Sequence, residues 1–230
     1  MEIKDKVVII TGASQGIGLA TAKLLTKLGA RVVLAARSKE TIVQLEKELF
    51  GSLAIVTDMR EDKDVKNLID KTIEKYGRVD ILVNNAGQGT YGSIEKIDMK
   101  TYEQIMNLNV FGVLRGMQAV IPYMRKQGKG IIVNISSGVA KNYYMEVGAY
   151  SSTKYTLNAL SFIARKELVK DKISVCTVSP KLTSTNFTKN AVGVRPLWAT
   201  VLAKMKSDSP KLVAEKIAQI IKTEQEEIVL

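Results

Sequence analysis

Short runs of β-branched and aliphatic residues recur along this chain, each separated from the next by a stretch long enough for a helix, and that alternation limits the fold more than any other feature. The runs fall near Lys6 to Thr11, Arg31 to Ala36, Leu53 to Thr57, Asp80 to Asn84, Gly130 to Ser136, Ile173 to Val178 and Glu227 to Val229. Parallel strands need a crossover between them, normally a helix, so the pattern predicts an α/β fold: a doubly wound parallel sheet of about seven strands with helices on both faces. Ile17 to Leu28 has apolar positions at Ile17, Ala20, Leu24 and Leu28 on one helical face, and Gly29 follows as a left-handed cap. Gly77 closes Asp64 to Tyr76 in the same way. Lys100 to Met124, carrying Ile105, Leu108, Val113 and Met117, and Ser151 to Val169 are long enough to cross the sheet. The alternation lapses only between Leu182 and Ser207, around Pro196 and Trp198, where a substrate lid is expected at about 182–207 of a single domain spanning 1–230.

The residue inventory narrows the chemistry. With no histidine in the chain, Ser-His and Cys-His catalysis and every His-ligated metal site are excluded. Cys176 is the single cysteine and is expected in the core, so neither a disulfide nor a zinc cage is available and a reducing compartment, the cytoplasm, is expected. No apolar run approaches the roughly 20 residues of a membrane span, and the amino terminus lacks the form of a secretory signal. The net charge of +11 comes from basic residues dispersed along the chain, with no aromatic-interleaved basic run, so neither a nucleic acid nor a membrane is expected as a partner.

Thr11-Gly12-Ala13-Ser14-Gln15-Gly16-Ile17-Gly18 joins the first strand to the first helix. Its glycines stand where backbone must approach a pyrophosphate, and a helix N-terminus offers free N–H groups and the positive end of a dipole. The spacing Gly-x-x-x-Gly-x-Gly differs from the Gly-x-Gly-x-x-Gly fingerprint of Rossmann dehydrogenases. At the end of the second strand, Ala35-Ala36-Arg37-Ser38 has no acid for a ribose 2′-hydroxyl. Arg37 suits a 2′-phosphate instead, so NADP (NADPH) is the expected cofactor.

Joined to Asn84-Asn85-Ala86-Gly87 after the fourth strand and to Tyr150-Ser151-Ser152-Thr153-Lys154, that loop makes the sequence resemble the short-chain dehydrogenase/reductase family over nearly its whole length. The resemblance implies a Rossmann-type fold and hydride transfer between the dinucleotide and a small carbonyl or alcohol substrate. The catalytic residues it implies are Asn109, Ser137, Tyr150 and Lys154. Its implied cofactor contacts are Gly12, Ser14, Gln15, Gly16, Ile17, Gly18, Arg37, Asp58 (to the adenine), Met59, Asn85, Ala86, Gly87, Tyr150, Lys154, Pro180 and Thr185, with no metal. Two departures stand out. Pro180-Lys181 replaces the family's usual Pro-Gly, and the glycine-rich tail of many members is missing at Leu230, so tetramer contacts through such a tail are not expected.

Tyr150 and Lys154, at i and i+4 on a helix, can meet, and an ammonium beside a phenol should lower its pKa toward neutrality for general acid–base work. By the resemblance, Ser137 holds the substrate oxygen and Asn109 a water that links Lys154 to solvent. Ser136 competes with Ser137, which is favoured because it lies thirteen residues before Tyr150. Tyr143, Tyr144, Met145, Phe187, Leu197, Trp198, Leu202 and Met205 suggest an apolar pocket for a ketone or aldehyde. Reduction of a 3-ketoacyl group on an acidic carrier protein, met by Arg125, Lys126 and Lys129, is an alternative; a non-catalytic dinucleotide sensor is another, and a nucleic-acid binder rests on charge alone. Val110, Met117, Leu157 and Leu160 exceed what one sheet-facing stripe needs, so a homodimer or homotetramer through the long helices is expected.

Overall fold

A computed structural model describes residues 1–194, 196–202 and 207–230. Its strands are β1 (Val7–Thr11), β2 (Arg31–Ala36), β3 (Leu53–Val56), β4 (Ile81–Asn84), β5 (Gly130–Ile135), β6 (Ile173–Ser179) and β7 (Glu227–Val229). All pair in parallel, in the order β3-β2-β1-β4-β5-β6-β7. The helices are α1 (Gly16–Lys27), α2 (Lys39–Glu48), α3 (Asp62–Tyr76), α4 (Met99–Met106), α5 (Gly112–Gln127), α6 (Gly148–Leu168), α7 (Leu197–Leu202) and α8 (Pro210–Thr223). The expected sheet and its seven strands are present.

Alternate strand residues feed two cores. Val8, Ile10, Val32 and Leu34 pack with α1, α2 and α8, while Val7, Ile9, Val33 and Ala35 pack with α3, α5 and α6. Because both faces are covered, β1 is buried at every position, and its sequence therefore runs apolar without alternation. Gly77 ends α3 in the left-handed region at φ 71°, as its position implies. Cys176 is buried in the first of these cores, which pushes its thiol up to about 11.

Several helical expectations need correction. The buried face of α1 is Gly18, Thr21, Ala22 and Leu25; Ile17, Leu24 and Leu28 of the expected stripe are half-buried, because α1 packs along α8 as well as on the sheet. The helix expected from Lys100 to Met124 is interrupted by a π turn at Asn107–Phe111, where Gly112 N–H bonds Asn107 O. Helix α6 begins at Gly148, one turn earlier than expected, which sets Tyr150 in its first turn. Val110, Met117 and Leu157 are buried inside the chain, so they cannot be surplus for a partner. Helices α2 and α8 fall in stretches the alternation leaves for helices but whose bounds the sequence did not mark; α8 starts at Pro210 behind a Ser209 side chain that accepts from Leu212 N at 3.1 Å. Of the proposed pocket residues, Met205 lies outside the described residues, as does the Leu202 side chain. No described helix is long and apolar enough to cross a membrane.

Glu224, just past α8, ties the sheet edge together. It receives Lys129 Nζ at 2.8 Å, Ser174 Oγ at 2.8 Å and the Met1 ammonium at 3.1 Å. Burial works to raise its pKa, but these bonds outweigh it and pull the carboxyl down to about 2. A carboxylate with a depressed folded-state pKa stabilises fully above its unfolded value, about 4.5, and that stability fades as pH falls toward about 2. Glu224→Gln is therefore expected to cost about 1–3 kcal/mol at pH 7. Urea melts across pH should show the gap to the unsubstituted protein closing between about 4.5 and about 2.

Candidate active site

The C-terminal ends of the strands open onto a cleft of about 690 Å³, and every implied catalytic and cofactor residue except Gly18 and Asn109 lines it. Of the expected pocket residues, Tyr144, Phe187 and Trp198 line it too, whereas Tyr143, Met145 and Leu197 are exposed to solvent instead. It lies where the winding reverses, between β1 and β4. There the Thr11 hydroxyl accepts from Asn85 N and Ala86 N, both at 3.0 Å, and Asn85 Nδ2 donates to Thr11 O at 2.8 Å and Gly12 O at 3.2 Å. The Asn85 side chain is thus spent on the loop itself. A Cβ at Gly18 would fall 2.3 Å from Gly12 O, and Gly12 sits at φ +66° with a Cβ position 2.9 Å from Ala86 Cα. Both positions admit only glycine.

The N-terminus of α1 faces this loop with no side-chain cap and no acid in its first turn. Its free N–H groups and dipole fit a dinucleotide pyrophosphate. Thr185 packs against Gly16, where a Cβ would meet its Cγ2 at 3.2 Å. At the end of β2, Arg37 is exposed and makes no ion pair among the described residues. Asp58 is differently committed: it is paired with Arg60 at 2.5–3.1 Å, and that bond holds its carboxyl below the usual range against the effect of burial. An adenine contact at Asp58 would therefore share the carboxylate with Arg60, a residue the sequence reading did not single out.

Ser137, Tyr150, Lys154 and Asn109 converge at the other end of the cleft. The Ser137 hydroxyl lies beside the Tyr150 phenol and accepts from Val139 N at 3.4 Å, whereas the Ser136 hydroxyl is buried without a partner among the described residues. Lys154 is buried; its ammonium donates to Ile135 O at 2.8 Å and lies 5.9 Å from the Tyr150 ring centroid. Desolvation lowers it to about 8. The Tyr150 phenol is pushed up to about 12, chiefly by burial, with the nearby Ser137 hydroxyl working the other way and Tyr91 adding to the rise. This corrects the expected lowering of the phenol pKa: Lys154 is buried and turned to the end of β5, and Tyr150 is half-buried where it lines the cleft.

Asn109 is fully buried. Its Oδ1 accepts from Gln88 N at 2.9 Å, and its Nδ2 donates to Gln88 O at 2.9 Å and Thr153 Oγ1 at 3.1 Å. The side chain pins the segment after β4 to α6 and has no donor left for a water. Thr153 in turn donates to Tyr150 O at 2.7 Å. Gly87 closes the group, since a Cβ there would stand 3.3 Å from Asn109 Oδ1 and 3.8 Å from Lys154 Nζ. Sequence alone missed Gln88, Thr153 and Tyr91; none of them carries a motif signal. Lys181 lines the cleft without a left-handed backbone, so the local conformation does not require the family's glycine.

Residues 6–194 match the family model described as short chain dehydrogenase. An uncharacterized oxidoreductase of Staphylococcus saprophyticus is 37% identical over 190 residues, 81% of this chain and 77% of that protein. Among solved structures, a 3-ketoacyl-(acyl-carrier-protein) reductase from Brucella melitensis complexed with NADH superposes with a TM-score of 0.89 at 26% identity, covering 99% of this chain and 98% of that one. An alcohol dehydrogenase from Thermococcus sibiricus complexed with 5-hydroxy-NADP gives a TM-score of 0.87 at 26% identity, over 99% and 96%.

Proposed function

This chain is an oxidoreductase of the short-chain dehydrogenase/reductase family, and from that premise we propose that it is an NADPH-dependent reductase of an apolar ketone or aldehyde. The observation that carries this reading is the meeting of Ser137, Tyr150 and Lys154 at one end of a cleft whose other end is a glycine-lined helix N-terminus. The nicotinamide, when bound, supplies the hydride. Tyr150 gives the proton to the carbonyl oxygen. The phenol, pushed up to about 12, is protonated at neutral pH, as a donor to the carbonyl oxygen must be. Ser137 would hold the same oxygen through its hydroxyl, and Lys154 would hold the nicotinamide ribose on leaving Ile135 O.

Asn109 acts as a positioning residue in this scheme: it fixes Gln88 and Thr153, and backbone carbonyls released by the π turn are left to hold the water that links Lys154 to solvent. Arg37 receives the 2′-phosphate. Residues 182–207 serve as the lid of a single catalytic domain, and the cytoplasm is its proposed location. Assembly as a homodimer or homotetramer draws on different residues from those the sequence suggested, namely the exposed Phe111 of the π turn and Phe162 and Ile163 of α6.

Three outcomes test this reading. Tyr150→Phe should lower kcat by about 10² to 10⁴ while NADPH affinity stays within about threefold; retention of more than about a tenth of the activity would rule Tyr150 out as the principal proton donor. NADPH should bind about tenfold to a hundredfold tighter than NADH, and Ala36→Asp with Arg37→Ser should reverse the order, as titrations of both nucleotides would reveal. Light scattering at micromolar concentration should give at least twice the chain mass, and Phe162→Glu should shift it toward the monomer.

A further inference from the structure

We propose that Tyr91, Tyr144 and Trp198 form a subsite for a flat aromatic group, built by Glu146, so that the favoured carbonyl is an aryl ketone or aldehyde; this rests on the reductase reading above. The three rings come from separate stretches: the segment after β4, the loop before α6, and α7. All three line the cleft. The planes of Trp198 and Tyr144 are inclined by 19° with centroids 6.4 Å apart, and Tyr91 meets Trp198 nearly at right angles, 80°, at 6.5 Å. Because all three residues line the cleft, their rings also border the space a substrate would fill. The aromatic wall continues to the reacting end, where Phe187 lies 5.5 Å from the Tyr150 ring. An arene bonded to the carbonyl carbon would lie along this wall while its oxygen meets Tyr150 and Ser137.

Glu146 supplies an independent observation. Its backbone is left-handed at φ 61°, a conformation that costs a residue with a Cβ about 1 kcal/mol or more and persists only where neighbours impose it. Those neighbours are the parts of the subsite. Gly92 N donates to Glu146 O at 2.8 Å, and Trp198 Nε1 donates to Glu146 Oε2 at 3.0 Å. Behind Tyr91, the lid is joined to the same segment by Tyr91 N and Thr90 Oγ1, which donate to Val192 O at 2.9 and 3.0 Å. Gly193, at φ +93°, has no room for a Cβ, which would fall 2.2 Å from Tyr91 O. Backbone and side chain thus hold the three rings together before any substrate arrives, and Glu146 is the positioning residue that sets the indole.

The test compares methyl phenyl ketone with cyclohexyl methyl ketone, which differ mainly in the flatness and π-face of the ring. The unsubstituted enzyme should favour the aryl ketone about tenfold in kcat/KM, mostly through KM, as one or two aromatic contacts would give. Trp198→Leu and Glu146→Ala should each bring that ratio to about two or below, while Glu146→Gln, which keeps an oxygen acceptor, should retain it. Trp198 is the only tryptophan, so its fluorescence reports the subsite without turnover: saturable binding of 1-phenylethanol should be about tenfold tighter than that of 1-cyclohexylethanol. The emission should shift in Glu146→Ala but not in Glu146→Gln. Reduction of both ketones with no preference would overturn the subsite and leave the reductase reading intact. Tighter binding of the aryl alcohol with neither ketone reduced would support the subsite and overturn the reductase reading. Equal affinity for the two alcohols would overturn the subsite whatever the kinetics.

Discussion

The hydrogen bonds between Thr11 and Asn85 join the two strands at which the chain reverses its direction of winding, and the cleft depends on that junction. One winding half runs outward from β1 through β2 to β3, the other from β4 to β7, so the loops after β1 and β4 diverge and leave a crevice at the strand ends. Without the clasp the glycine loop would have no fixed partner across the gap. With it, Gly12 and Gly18 are pressed so close to the second half that side chains are excluded, and the N–H groups at the start of α1 face the crevice. Packing at this point leaves a hollow whose polar backbone is ready for a ligand's phosphates.

Shielding from water sets the chemistry at the opposite end. Tyr150 and Lys154 are displaced in opposite directions, the phenol upward and the ammonium downward, because burial disfavours the charged form of each. Under the proposed reaction, the protonated Tyr150 is the donor and Lys154 stands next to it as a buried, readily deprotonated neighbour. Asn109 makes that arrangement rigid: each polar atom of its amide is engaged, and the π turn is the local distortion that lets the side chain reach both Gln88 and Thr153.

The same segments that carry the reacting groups also carry the aromatic wall. Tyr91 follows Gln88 by three residues, Tyr144 and Glu146 precede Tyr150 by less than two helical turns, and Trp198 arrives on the short helix α7. Under the proposed subsite and proton donor, recognition and proton transfer share these loops. The left-handed backbone at Glu146 is held by the bonds from Gly92 N and Trp198 Nε1 rather than by any local preference of the residue.

Much of the fold was legible in the sequence, because strands buried on both faces read as continuous apolar runs and helices as residues repeating every three to four positions. Those are local properties of the chain. The glycine loop and the Tyr150–Lys154 spacing were legible for the same reason: a tight turn and one helical turn are fixed by covalent geometry. What only the tertiary structure decided depends on residues distant in sequence. It turned Lys154 to Ile135 O, raised the phenol of Tyr150, paired Asp58 with Arg60, broke a long helix at Asn109 and buried Val110, Met117 and Leu157 that the helical pattern had left for a partner. Each of these follows from which surfaces exclude water and which polar groups then find one another, and neither can be computed from spacing along a chain whose neighbours in space are not its neighbours in sequence.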